Sequence, residues 1–180
     1  EGCTVDDIVA RAVAGGVGAM ICPTADPADI PVALKIANSY DNIWATIGIH
    51  PEYVNTNAAD YLTDDVLSNP RVVGVGEIGL DYHYSPETRT KQIKLFEQQL
   101  EIAKHHNLPV AIHTREAEED TAAILDGSIT GVMHCFTSSW DLAKKMLDRG
   151  LMFSASGILT FKNSTDIREK FAKIPTDRIV

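Results

Sequence analysis

Residues Val72–Ile112, VVGVGEIGLDYHYSPETRTKQIKLFEQQLEIAKHHNLPVAI, indicate the fold class because they combine two short apolar runs with one long helical pattern. Ser85 and Pro86 are typical of a helix start. The apolar residues that follow at helical spacing are Ile93, Phe96, Leu100 and Ala103. The flanking runs, Val72–Val75 and Pro109–Ile112, suit strands that are buried on both faces. The stretch therefore predicts two parallel strands joined by a crossover helix.

The same alternation of apolar runs and helical patterns extends along the chain. Apolar runs begin at residues 17, 43, 72, 109, 130, 151 and 178, which is the spacing of successive βα units. Two parallel architectures fit this spacing, an open doubly wound sheet and a closed eight-stranded barrel. No GxGxxG sequence follows the first run, which disfavours the dinucleotide-binding fold.

The number of runs favours an α/β fold of the (β/α)8 TIM-barrel type that is incomplete in this chain. Seven runs are present. One strand before Glu1 and completion of the last unit after Val180 would give eight units and about 250 residues, the usual size of such a barrel. We therefore expect residues 1–180 to form a single partial TIM-barrel hydrolase domain. It would be a fragment of a longer gene product, without its first strand and the end of its eighth βα unit.

The composition is that of a globular protein, with 44% hydrophobic and 23% charged residues. The 25 acidic and 16 basic residues give a formal net charge of -9, which argues against binding of polyanions through a broad surface of Lys and Arg. Three cysteines without a CxxC pair indicate neither a disulfide framework nor a zinc finger, and favour a reducing compartment. No apolar run approaches the roughly 18 residues of a membrane span. We expect a cytoplasmic protein with no membrane partner and no obligate protein partner.

Polar side chains follow four of the apolar runs. They are His50, Glu77, His113 and His134. Because active sites of such barrels lie at the carboxyl ends of the strands, we expect these four side chains at one mouth. Imidazoles and a carboxylate that converge there would suit zinc, manganese or a similar divalent ion. For each histidine taken alone, a hydrogen-bonded structural role is the alternative.

Four stretches near these positions resemble motifs of the TatD family of metal-dependent deoxyribonucleases, which is similar to the wider amidohydrolase superfamily. They are IGIHP at Ile47–Pro51, GEIGLDY at Gly76–Tyr82, PVAIHTREA at Pro109–Ala117 and GVMHCFTSS at Gly131–Ser139. The resemblance runs in order over essentially the whole chain. It implies a hydrolase that cleaves phosphodiester bonds of DNA or another nucleic acid with a water activated by divalent ions, two of Mg, Mn or Zn.

The resemblance also implies roles for the metal-competent side chains. Glu77 matches the catalytic carboxylate that holds and bridges two ions, and His113 and His134 match imidazole ligands. Cys135, next to His134, is expected to point to the opposite side of its strand and into the core.

Three further residues have less specific roles by the same resemblance. His50 and Arg115 match positions that meet the substrate phosphate. Arg115 has an alternative, an ion pair with Glu116 or Glu118 on the following helix. Asp81 would orient a metal ligand or cap the next turn.

The sequence departs from the family pattern at both ends. The family's His-x-His pair on the first strand is absent before the first predicted helix, and the chain ends at Val180, where an acidic ligand on the eighth strand is expected. About half of the metal shell is therefore present. Two alternatives to a deoxyribonuclease follow: another amidohydrolase-type enzyme that acts on an amide, lactone or phosphotriester, or a partial barrel without activity.

Overall fold

The structure, a computed structural model, describes residues 2–180, so Glu1 lies outside the described residues. Its centre is one parallel sheet of six strands in which each strand pairs with the next along the chain. The strands are β1 Met20–Pro23, β2 Ile43–Thr46, β3 Val72–Asp81, β4 Val110–Arg115, β5 Gly131–Met133 and β6 Met152–Phe153. Sequential parallel pairing is the order of a barrel wall, whereas a doubly wound sheet reverses its strand order.

Helices connect the strands, as the alternation predicts. They are α1 Val5–Ala14, α2 Ile30–Ser39, α3 Asp64–Leu67, α4 Arg89–His105, α5 Glu118–Ile124, α6 Trp140–Asp148 and α7 Thr165–Phe171. The start of α6 has a clear local cause, since the Ser139 hydroxyl accepts a hydrogen bond from Leu142 N at 3.2 Å. α4 begins after a 3-10 turn, Pro86–Thr88, and packs its apolar stripe on β3.

The sheet curls around a cavity of about 620 Å³ to which all six strands contribute. Its apolar walls include Ile21, Val73, Ala111, Val132 and Met152. Among residues 2–180, β1 and β6 are the first and last strands of the sheet, and beyond β6 only one parallel bridge follows, so the curl stays open. None of the helices within residues 2–180 has the length and hydrophobicity that a transmembrane helix needs.

The parallel α/β fold of the barrel type is confirmed for this six-stranded wall, with two corrections in detail. The last apolar run, Arg178–Val180, contributes a single parallel bridge from Ile179 to Phe153 and does not form a strand. β3 runs to Asp81, well beyond the predicted end at Val75. Closure by eight units stays a prediction.

A β-bulge interrupts the pairing of β3 with β4. Val75 pairs with Val110 and Ile78 with Ile112, so three steps along β3 face two steps along β4. An extra residue of this kind bends a strand and redirects a side chain. At the bulge, Glu77 N donates to Thr24 O at 2.8 Å, and the Glu77 side chain lines the cavity.

Close approach of β3 and β4 requires a glycine at position 79. Gly79 has a φ of +142°, and a Cβ at this position would lie 1.9 Å from the carbonyl oxygen of His113. No side chain fits without moving one strand away from the other. Gly79 therefore fixes how closely the two strands lie.

We predict that Gly79→Ala lowers the free energy of unfolding by more than about 2 kcal/mol, because it adds both a clash and an unfavourable φ. Urea unfolding followed by circular dichroism measures the change. Gly127→Ala is the matched control, since a Cβ there meets nothing within 4 Å. Equal losses in the two variants would contradict the close approach.

Candidate metal centre

Four side chains meet at the carboxyl ends of the central strands, and we call them the mouth cluster: His50, Glu77, His113 and His134. Donor atoms of His50, Glu77 and His113 all lie within 4.8 Å of one another. His134 Nε2 lies 4.0 Å from Glu77 Oε1. The structure therefore brings all four predicted residues together, with Glu77 as their common neighbour.

Each member reaches the cluster from a different element. His50 follows β2 and begins a 3-10 turn, Pro51–Tyr53, while His113 lies within β4 and His134 directly follows β5. Glu77 was expected to close its strand, but it lies inside β3, at the bulge. The glycines around it interrupt the apolar run, which hid the rest of the strand from the sequence pattern.

The His113 ring lies between two carboxylates. Nδ1 is 3.1 Å from Glu77 Oε1, and Nε2 is 3.0 Å from Asp81 Oδ2. The His50 ring packs edge-on against it, with ring centroids 4.6 Å apart. Burial lowers the pKa of His113, but the hydrogen bonds and charges of Glu77 and Asp81 outweigh burial and hold the pKa above its ordinary value.

The pKa values of Glu77 and His50 are shifted by the same contacts. Burial raises the pKa of Glu77, but the His113 hydrogen bond and the charges of the imidazoles outweigh burial and hold the pKa below its ordinary value. Burial and the charge of His113 lower the pKa of His50. These pKa directions favour the metal-binding forms of Glu77 and His50, whereas a metal bound by His113 must displace a proton that the raised pKa of His113 favours.

Asp81 has contacts that suit both of the roles that the sequence left open. It is only 3% exposed. One carboxylate oxygen faces His113, and the other accepts hydrogen bonds from His83 N at 2.9 Å and Tyr84 N at 3.4 Å. A carboxylate behind a ligating imidazole fixes the ring and raises its basicity. Asp81 is therefore placed to orient His113 while it caps the turn after β3.

Two buried glutamines of α4 hold the backbone of the mouth, and sequence analysis missed both. The Gln92 amide bonds Asp81 N at 2.7 Å and Asp81 O at 2.8 Å. The Gln99 amide likewise accepts a hydrogen bond from Ile49 N at 2.8 Å and donates one to Ile49 O at 3.0 Å. Their positions could have indicated their burial, because residues 92 and 99 lie on the same helix face as the apolar stripe.

Arg115 lies beside the cluster without an acidic partner. Among residues 2–180, no carboxylate oxygen lies within 4.0 Å of its guanidinium nitrogens. Glu116 instead contacts His83 at 2.6 Å, and Glu118 accepts a hydrogen bond from Ser139 N at 2.7 Å. The ion pair considered as the alternative for Arg115 is therefore not formed.

The prediction that Cys135 points into the core is wrong. β5 ends at Met133, and Cys135 has a φ of +43°, so strand alternation no longer applies. Its Sγ lies 3.3 Å from His134 Nε2, and the residue is half-buried. The thiol therefore borders the cluster.

The donor set fits a divalent cation. Three imidazoles and one carboxylate are the ligand types that zinc and manganese accept, and His113 has the acidic partner typical of a ligating histidine. A parallel barrel wall with such a cluster at its carboxyl edge defines the class of barrel metallohydrolases. Residues 3–180 match the family described as TatD related DNase, and the chain belongs to this family of metal-dependent hydrolases.

Relatives and a solved structure agree with this assignment. The chain is 34% identical over 186 residues to the metal-dependent hydrolase YabD of Bacillus subtilis, covering 98% of this chain and 71% of YabD. It is 32% identical over 182 residues to the 3'-5' ssDNA/RNA exonuclease TatD of Salmonella typhimurium, covering 97% of this chain and 70% of that protein. The crystal structure of YJJV, a TatD homologue from Escherichia coli K12, superposes with a TM-score of 0.84 at 28% identity, over 97% of this chain and 71% of YJJV.

We predict that Asp81→Asn weakens Mn²⁺ binding about 10- to 100-fold, because His113 loses the charge that supports it. Isothermal titration calorimetry with MnCl₂ measures the affinity, and thermal unfolding confirms that the variant is folded. The control is Asp141→Asn, at an exposed carboxylate of α6 that pairs with Lys144. Unchanged Mn²⁺ affinity in Asp81→Asn would show that His113 needs no such support.

We predict that Gln99→Leu costs about 2–4 kcal/mol of stability, because it leaves the buried N–H and C=O of Ile49 without partners. Hydrogen exchange of the Ile49 amide should accelerate more than that of β4 amides. Gln98→Leu, at the half-buried neighbouring position, should change stability by less than about 0.5 kcal/mol. A Gln99→Leu variant as stable as wild type would show that the hydrogen bonds between the Gln99 amide and the Ile49 backbone do not stabilise the fold.

Proposed function

We propose that the protein is a nuclease that hydrolyses phosphodiester bonds of DNA or a related nucleic acid. The observation that carries this proposal is the convergence of one carboxylate and three imidazoles at a single mouth. Membership of the TatD-related family supports the substrate class, as does a relative at 32% identity that is named an exonuclease of single-stranded DNA and RNA.

The proposal assigns each side chain a task. Glu77, His113 and His134 would hold two divalent ions, Mg²⁺, Mn²⁺ or Zn²⁺, and His50 is near enough to join them or to contact the substrate. When bound, these ions would supply positive charge for a phosphate despite the net charge of -9, and would lower the pKa of the attacking water.

The protein's other groups would position the substrate. Arg115, without a carboxylate partner, has its guanidinium donors available for a phosphate oxygen. Asp81 keeps the His113 ring in one orientation through the contact at Nε2. The three cysteines are free thiols, which supports the cytoplasmic location that forms part of the proposal.

A second candidate has its own observation. The cavity beside Glu77 and His134 has largely apolar walls, which would suit a small neutral ester, lactone or amide better than a nucleic acid strand. Parallel assays with a phosphodiester and with such neutral substrates distinguish the two activities. A chain inactive toward both would correspond to the partial barrel without activity.

We predict that Glu77→Gln lowers metal-dependent cleavage of single-stranded DNA roughly a thousandfold, because residue 77 would no longer supply a negatively charged ligand to the ions. Release of labelled nucleotides in MnCl₂, with EDTA as the blank, measures the rate. The control is Glu97→Gln, at an exposed carboxylate of α4. Equal rates for wild type and Glu77→Gln, or no cleavage by wild type, would overturn the proposal.

A further inference from the structure

Tyr84 is an aromatic side chain exposed to solvent at the edge of the mouth. Tyr84 lies three residues after the carboxyl end of β3, and 65% of the residue is exposed. Tyr61, the next most exposed tyrosine among residues 2–180, is 41% exposed and precedes the amino end of β3. A single exposed tyrosine is ordinary on a protein surface, so the position of Tyr84 beside the mouth, rather than its exposure, is what calls for an explanation.

The Tyr84 ring is held in place although it is exposed. The guanidinium carbon of Arg115 lies 4.8 Å from its centroid, and the His83 ring meets it edge-on at 4.7 Å. Its backbone N–H donates to Asp81 Oδ1 at 3.4 Å. These contacts fix the ring and still leave most of its surface to solvent.

The same contacts connect Tyr84 with the mouth cluster. Asp81 and Arg115 are partners in the register of β3 and β4. Asp81 also lies 3.0 Å from His113 Nε2, and Arg115 follows His113 by two residues. A phosphate bound between the cluster and Arg115 would therefore bring the attached nucleoside next to the Tyr84 ring.

We propose that Tyr84, held by Arg115, is a stacking subsite for the nucleobase adjacent to the phosphate bound at the mouth. This inference rests on the proposed nuclease function. Aromatic rings and guanidinium groups bind bases through their π-faces, which all bases possess. The subsite therefore requires that a base be present and accepts any base.

The test compares two probes with the same phosphate charge. One is a short fluorescein-labelled thymidine oligonucleotide, and the other is a tetrahydrofuran oligomer of equal length without bases. Fluorescence anisotropy in CaCl₂ measures binding, and product release in MnCl₂ measures hydrolysis separately. Wild type should bind the thymidine probe roughly tenfold more tightly than the base-free probe, as expected for one base stack.

The variants isolate the ring. Tyr84→Ala should bring the ratio of the two affinities to about one, and Tyr84→Phe should keep the wild-type ratio because it retains the π-face. Tyr61→Ala, the control at an exposed tyrosine away from the mouth, should also keep it. Thermal unfolding of each variant confirms that it is folded.

The other outcomes distinguish a failure of the subsite from a failure of the nuclease function. A wild-type ratio of one, or binding of neither probe, would show that no base is bound at Tyr84. A loss of affinity in Tyr84→Ala that is equal for both probes would show that the ring only positions Arg115. Base-dependent binding without hydrolysis would refute the nuclease function but not the base-binding subsite. Hydrolysis together with a wild-type affinity ratio in Tyr84→Ala would support the nuclease function and refute the subsite.

Discussion

The negative charge of Glu77, largely shielded from water, is the constraint around which the mouth is built. Its side chain is 17% exposed, and within residues 2–180 no Lys or Arg nitrogen lies within 4.0 Å of it. Among the described residues the basic groups at that distance are imidazoles, so compensation of the charge depends on a proton or a cation shared with them. The raised pKa of His113 and the lowered pKa of Glu77 both follow from this shared position.

Strands β2 to β5 and the segments that follow them carry the side chains of the mouth cluster, whereas β1 and β6 mainly line the cavity. β3 pairs with β2 on one side and β4 on the other, and it carries both Glu77 and Asp81. The bulge in β3 matters because, on a regular strand, the side chains of Val75 and Glu77 would lie on the same face of the sheet. The extra residue redirects the Glu77 side chain toward His113. A local irregularity in one strand thus creates the meeting point for side chains from its neighbours.

Much of the site could be predicted from the sequence, because parallel strands place their carboxyl ends at one edge. That rule located the residues of the mouth cluster without any distances. It could not reveal the bulge, since strand register depends on a partner that is distant in sequence. It also missed Gln92 and Gln99, because an apolar stripe is recognised by its hydrophobic members, and the turn at Cys135, where a positive φ ends the alternation.

Helix α4 lies on the outside of the sheet, yet its side chains Gln92 and Gln99 connect it by hydrogen bonds to the backbone of Asp81 and of Ile49. Because one rigid helix spans both attachment points, any tilt or shift of α4 would move the segments before His50 and after Glu77 together. Substitutions in α4 can thereby change the spacing within the mouth cluster without contacting any of its four side chains.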